Sequence, residues 1–273
     1  MTALFRRFSA TSRALLAVFL AAPAHAQHCA PELTEAPPLK ATFALAAASY
    51  RTPRYEGRWE GARVGLAGSW APLSGRVWVP AYRLERNGLT STGLGDVGVG
   101  ASATFWGGEL RAYGGGLDVA ITLPTGAPDK DLGMGHPMVM SGPFGSLRLG
   151  RFSLGAELTF ATVLSSEHAG TPAGHDHGAH THGPSPIVAP MNGSEAEASA
   201  LVRFAISPHW RAEASATGAT PLAAHGGEAR LFGGVGPGLS MGPLDLLLRV
   251  ELPFYGDAFL VRTSLAAGWA FGA

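Results

Sequence analysis

From about Leu39 to the end, the chain runs in segments of roughly ten to fourteen residues in which every second position is apolar. Twelve such segments are expected as strands: 40–50, 59–70, 76–84 (interrupted by Pro80), 96–106, 110–123, 138–149, 152–164, 195–206, 210–220, 228–240, 244–254 and 258–271. The alternation is clearest in four of them. Phe152, Leu154, Ala156, Leu158 and Phe160 oppose Ser153, Gly155, Glu157 and Thr159. Ala198, Ala200, Val202, Phe204 and Ile206 oppose Glu197, Ser199 and Arg203. Leu244, Leu246, Leu248, Val250 and Leu252 oppose Asp245, Arg249 and Glu251, and Phe259, Val261, Leu265, Trp269 and Phe271 oppose Arg262 and Ser264. Successive strand side chains point to opposite faces, so each segment has one apolar and one polar face.

The connections alternate in length. Short turns at 71–75, 107–109, 150–151, 207–209 and 241–243 take turns with longer connections at 51–58, 85–95, 124–137, 165–194, 221–227 and 255–257. Only the last of the long set is short. A single-chain outer-membrane barrel has this arrangement, with short periplasmic turns, longer extracellular loops and an even strand number. The expected fold is all-β: a single antiparallel transmembrane β-barrel of about twelve strands in meander order, with both termini periplasmic. The apolar face is then the lipid face and the charged face the lumen, because charges on the lipid face are costly. A soluble sandwich would alternate in the same way with its apolar face inward. These segments are long for sandwich strands. Aromatics also gather near strand ends (Trp70, Phe105, Trp210, Trp269, Phe271), as an interfacial girdle would.

Composition agrees. Charged residues make up 15% of the chain, below the roughly 25% of soluble domains, and there are 38 Gly. No run is apolar over the length a membrane helix needs, which leaves a closed barrel as the spanning structure. Residues 1–26 read as a secretory signal peptide: Arg6, Arg7 and Arg13, an apolar run at 14–22, and an Ala24-His25-Ala26 cleavage site. Cleavage removes three Arg and no acid from a chain with 20 charges of each sign, leaving a formal −3. Residues 27–38 are a Pro-rich periplasmic lead-in, and 39–273 the barrel. Cys29 is the single cysteine, which excludes an intrachain disulfide. The Ala26-Gln27-His28 context around it is poor for lipid attachment, and His28 with Cys29 makes only two metal ligands.

Gly93-Leu94-Gly95-Asp96-Val97 opens the fourth segment, Leu123-Pro124-Thr125-Gly126 closes the fifth, and Gly133-Met134-Gly135-His136 follows in the next loop. In this order the three stretches resemble the outer-membrane transporters called the MetA-pathway of phenol degradation family. The resemblance spans roughly 93–160. It implies a channel-like outer-membrane protein without specifying its solute. The ending Trp269-Ala270-Phe271-Gly272-Ala273 departs from the usual terminal aromatic of such barrels.

Three groups of residues carry candidate chemistry. The longest connection, 165–194, is expected to be extracellular and holds His168, His175, Asp176, His177, His180 and His182. Imidazoles at this spacing suit zinc, copper or nickel, although ordering a polar loop around an ion costs entropy. Met134, His136, Met138 and Met140 combine thioethers with an imidazole, a set that favours copper(I). Against that reading, Met138 and Met140 at period two are expected on the lipid face. The third group is the lumen-facing charges: Asp96, Asp118, Arg148, Glu157, Arg203, Arg230, Arg249, Glu251 and Arg262. They are expected to pair across strands and to line a polar path.

The function expected is that of a monomeric channel or transporter-like barrel for small solutes, linked to metal ions or to hydrophobic aromatic compounds. Its other partners would be outer-membrane lipid and the barrel-assembly machinery of a Gram-negative cell. The first alternative is a surface metal-binding protein that uses the barrel as an anchor. The second, a lipid-modifying enzyme, lacks support: no His lies beside a Ser in a strand (His209 is in a turn, His225 in a loop), and there is no G-x-S-x-G or H-E-x-x-H. No cofactor is required, and no basic patch points to nucleic acid.

Overall fold

The alternating segments close on themselves. The computed structural model describes residues 39–51, 56–106, 112–164, 193–222, 229–256 and 259–271. The signal peptide, the lead-in with His28 and Cys29, His225 and the whole His-rich stretch 167–183 lie outside those residues. The strands are β1 (Leu39–Arg51), β2 (Glu56–Trp70), β3 (Leu73–Arg86), β4 (Leu89–Leu94), β5 (Val97–Trp106), β6 (Tyr113–Leu123), β7 (Met138–Leu149), β8 (Phe152–Val163), β9 (Ser194–Ala205), β10 (Trp210–Pro221), β11 (Arg230–Met241), β12 (Leu244–Tyr255) and β13 (Phe259–Phe271). Each pairs antiparallel with its neighbours, and β1 pairs with both β2 and β13. The sheet therefore has no free edge along its length, which is what a barrel needs to satisfy its backbone in lipid.

The barrel has twelve staves and thirteen strands, because β4 and β5 share one stave. β4 covers the Ala81–Arg86 half of β3, and β5 covers Leu73–Trp78. The stretch 85–95, expected as a long loop, is instead a β3–β4 hairpin. Its two-residue turn is Asn87-Gly88, both at positive φ (49° and 83°). That is the turn an Asn-Gly pair favours between twisted antiparallel strands. Pro80 does not interrupt β3, which runs through it. The ring's missing N–H falls where the stave beside it changes from β5 to β4.

Burial fixes the faces. Val64, Leu66, Val99, Val119, Leu158, Val202, Val235 and Leu252 are exposed on the outer wall, while Ala44, Ala46, Ala48, Glu157, Thr159, Arg249 and Glu251 are buried within. Aromatics gather at the ends of the outer face, among them Trp70, Phe105, Trp210, Trp269 and Phe271. An Arg at the lipid midplane costs roughly 2–4 kcal/mol. Val64→Arg, near the middle of β2 and 58% exposed, is expected to lose that much unfolding free energy in phosphatidylcholine vesicles, while Val64→Leu loses none.

In β13, Phe259, expected on the lipid face, lies inside. At the start of β13, Tyr50 pairs with Phe259 and Ser49 with Val261, so Leu260 is an extra residue. The bulge reverses the alternation upstream of it. Phe259 is 4% exposed and meets Phe232 edge-on at 5.8 Å. Together with Tyr50, Trp59, Tyr82 and Leu84 it builds an apolar cluster inside the long-loop rim.

Candidate functional site

The three stretches that carry the family resemblance meet at this rim, and the meeting point is a break in the fourth stave. Ala81 pairs with Leu94 and Trp78 with Gly98, so residues 95–97 stand opposite only 79 and 80. This bulge interrupts the alternation. Gly95 packs against the Tyr82 ring and Pro80, where a Cβ would lie 2.4 Å from Tyr82 Cε2. Asp96 turns its carboxylate to the loop that follows β6.

That loop, 124–137, is latched rather than free. Gly126 N–H donates to Asp96 Oδ1 at 2.9 Å, and Met134 N–H donates to Oδ2 at 2.7 Å. Thr125 Oγ1 accepts from Val97 N–H and donates to the Gly95 carbonyl, both at 2.9 Å. Gly126 and Gly133 touch each other over the carboxylate: a Cβ on Gly133 would lie 2.5 Å from Asp96 Oδ1 and 2.7 Å from Gly126 Cα. Between the two anchors the chain makes one 3-10 turn at Pro128–Lys130 and passes through Asp131 at φ 56°. Asp131 pairs with Arg86 beside the turn of the hairpin. The loop is thereby folded so that Leu132 enters the apolar cluster, where it is 0% exposed among Tyr50, Trp59, Tyr82 and Leu84. Burying a Leu side chain contributes roughly 2 kcal/mol.

Beside and below this plug the interior is charged, and most of its charges are paired. Arg76 binds Asp118 through both guanidinium nitrogens at 2.6 Å, passing over Gly100, where a Cβ would lie 2.9 Å from Arg76 Cζ. Glu213, with no exposed side-chain surface, gathers Arg211 at 2.7 Å, Arg203 at 3.0 Å and Arg249 at 3.3 Å. Arg211 extends the network to Asp245 at 2.6 Å. Arg230 binds both oxygens of Glu195, at 3.0 and 2.9 Å. Arg262 binds Glu251 at 2.8 Å and is held between the rings of Phe232 and Phe259, at 4.9 and 4.7 Å. A cation over a ring face is favourable by about 0.5–2 kcal/mol, which offsets part of its desolvation.

The expected lumen residues fall into distinct places. Asp118, Glu157, Arg230, Arg249, Glu251 and Arg262 are buried inside, and Arg203 is half-buried on the same wall. Asp96 lies at the loop rim and holds backbone N–H groups rather than a cation. Arg148, on the inner face of β7 but at its turn end, is exposed at the opposite rim. Arg76, Glu195, Arg211 and Glu213 were not among the expected set. Arg211 and Glu213 share the odd positions of β10 with Ser215 and Thr217, a polar face legible from period two.

Met138 and Met140, expected on the lipid face, lie on the inner wall at 0% and 5% exposure. They form a second interior cluster with Ala120 and Ala161, against which Met134 and Trp78 pack. His136 lies in the loop between these methionines. Its Nε2 is buried without a hydrogen-bond partner among the described residues, an arrangement that costs about 1–3 kcal/mol. Glu157 Oε2 is likewise buried and unpartnered, while Oε1 accepts from Thr159 Oγ1 at 3.0 Å.

No family model matches the sequence, and no curated protein matches it. Among solved structures, the COG4313 outer membrane channel from Pseudomonas putida F1 superposes at TM-score 0.66 with 11% identity, over 90% of this chain and 98% of its own. The NanC porin superposes at 0.50 with 9% identity, over 84% and 100%. At such identities the likeness is one of fold, and the barrel this chain shares is that of an outer-membrane channel and of a porin.

Proposed function

We propose that this chain is an outer-membrane channel that passes small polar solutes and is gated by the inward-folded loop 124–137. The observation that carries the reading is the latch itself. A loop pinned by four polar contacts to a bulge in the wall and by a fifth to Arg86 of β3, with an apolar tip in a charge-lined interior, is arranged as a constriction. A filler of the barrel core would not need its backbone tied to one carboxylate. The paired charges beneath give a solute polar groups to exchange with, and their spread along the inner wall supports stepwise passage. In this reading the short-turn rim, where Leu39 pairs with Phe271, is periplasmic. The loop rim faces outside, and the chain reaches the outer membrane of a Gram-negative cell by way of its signal peptide.

The test is conductance of the purified protein in planar bilayers, together with sugar uptake into liposomes. Brief openings from a closed baseline are expected for the native chain. Silence in both assays, extending to a variant whose loop anchors are removed, would overturn the channel reading.

A further inference from the structure

The methionine cluster inside the loop rim is a surplus of soft donors that the channel reading does not use. Along the inner wall of β7, Met138 sits between Thr122 of β6 and Val163 of β8, and Met140 between Ala120 and Ala161. The latched loop brings Met134 against the same cluster, and Trp78 packs against it from β3. His136 joins the loop to β7, two residues from Met134 and two from Met138, with Nε2 buried and making no hydrogen bond among the described residues. Apolar packing accounts for the methionines. It does not account for an imidazole nitrogen kept from water with nothing to bond.

We propose that Met134, His136, Met138 and Met140 form a binding site for a soft monovalent metal ion, copper(I) or silver(I). Thioether and imidazole are neutral donors, and thioether sulfur selects soft ions. Zinc would call for thiolate, more imidazole or carboxylate, and among the described residues no group of three or more His, Cys, Asp or Glu is placed to hold a metal ion. Two of the donors belong to the loop and two to the wall, so an occupied site ties the loop to β7 and adds to the Asp96 latch. The inner face of β7 then continues through Gly142, which pairs with Asp118, to Phe144, which pairs with Glu157. A cation leaving the neutral donors therefore meets carboxylates next, among them the unpartnered oxygen of Glu157. Binding at this site does not depend on whether the barrel conducts, so its failure and that of the channel reading are separable.

The test uses the full chain in detergent, loaded with copper(I) under anaerobic conditions. X-ray absorption should show sulfur together with nitrogen around the metal. Competition with a chromophoric copper(I) chelator should show a site weakened about tenfold or more in Met138→Leu/Met140→Leu, since even an outer-shell partner is worth that much affinity. Met134→Leu, on the loop, should weaken it as well and leaves the barrel wall untouched should the double variant fold poorly. A chain with His168, His175, His177, His180 and His182 all changed to Asn should keep the sulfur signal. A shell of nitrogen alone in the native chain, or affinity within about twofold of native in both methionine variants, would overturn the proposal.

Discussion

Asp96→Ala is expected to raise solute flux through the barrel by about tenfold or more. The carboxylate accepts two backbone N–H groups, from Gly126 at 2.9 Å and Met134 at 2.7 Å, and hydrogen bonds to a charged group contribute roughly 1.5–3 kcal/mol each. Water recovers part of that in the open loop. A net loss of only about 1.4 kcal/mol from the closed state still shifts the closed-to-open ratio tenfold. Asp96→Asn keeps one acceptor oxygen and loses the charge, so it should fall between the two. Gly133→Ala reaches the same end by another route, because its Cβ would push into Asp96 Oδ1 and Gly126 Cα. Flux is read by liposome swelling with a small sugar, and gating by the open fraction in single-channel records. If all three variants match the native protein, loop 124–137 is not the constriction.

The barrel was legible because lipid on one side and a charged interior on the other enforce period two over most of its length. Where both faces are apolar, the pattern loses its sign. β7 opens Met138-Val139-Met140, and nothing in that run says which side is in. The reference is supplied by the neighbouring stave, where Glu157 and Thr159 mark the inner wall. Phe259 was misplaced for a different reason: one extra residue, Leu260, reverses the alternation, and a single-residue bulge leaves no mark in hydropathy. The Asn87-Gly88 hairpin did carry a local signal, hidden by the Thr, Ser and Gly content of β4. At the site, the resemblance brought the right stretches together without their roles. Asp96 reads as one more lumen charge in sequence. That it holds the loop depends on a bulge and on contacts some thirty or more residues away.

Glu213→Ala is the substitution expected to destabilise the barrel most, by about 3–5 kcal/mol, the usual cost of removing one partner from a buried ionic group. Three guanidinium groups, from Arg203, Arg211 and Arg249, converge on this carboxylate, whose side chain is fully buried. Arg211 keeps Asp245, while the charge balance of that wall shifts by one toward positive. Two readouts follow from the one change. Denaturant unfolding in lipid vesicles, followed by tryptophan fluorescence, measures the lost stability. The reversal potential in a salt gradient measures whether the lumen now favours anions. Glu213→Gln should recover part of the stability by retaining one acceptor, and none of the selectivity, because it too lacks the charge. A contrasting pair sharpens the point. Glu251 and Arg262 are both buried and bonded at 2.8 Å, so Glu251→Leu alone should be costly. The double change Glu251→Leu/Arg262→Met should recover most of the loss, since apolar replacements of a whole buried pair are often neutral. A Glu213→Ala barrel that loses stability with no shift in reversal potential would mark the network as scaffolding, with ions passing elsewhere. A shift toward anions would place the permeation path along β9, β10 and β12, against the arginines that Glu213 holds.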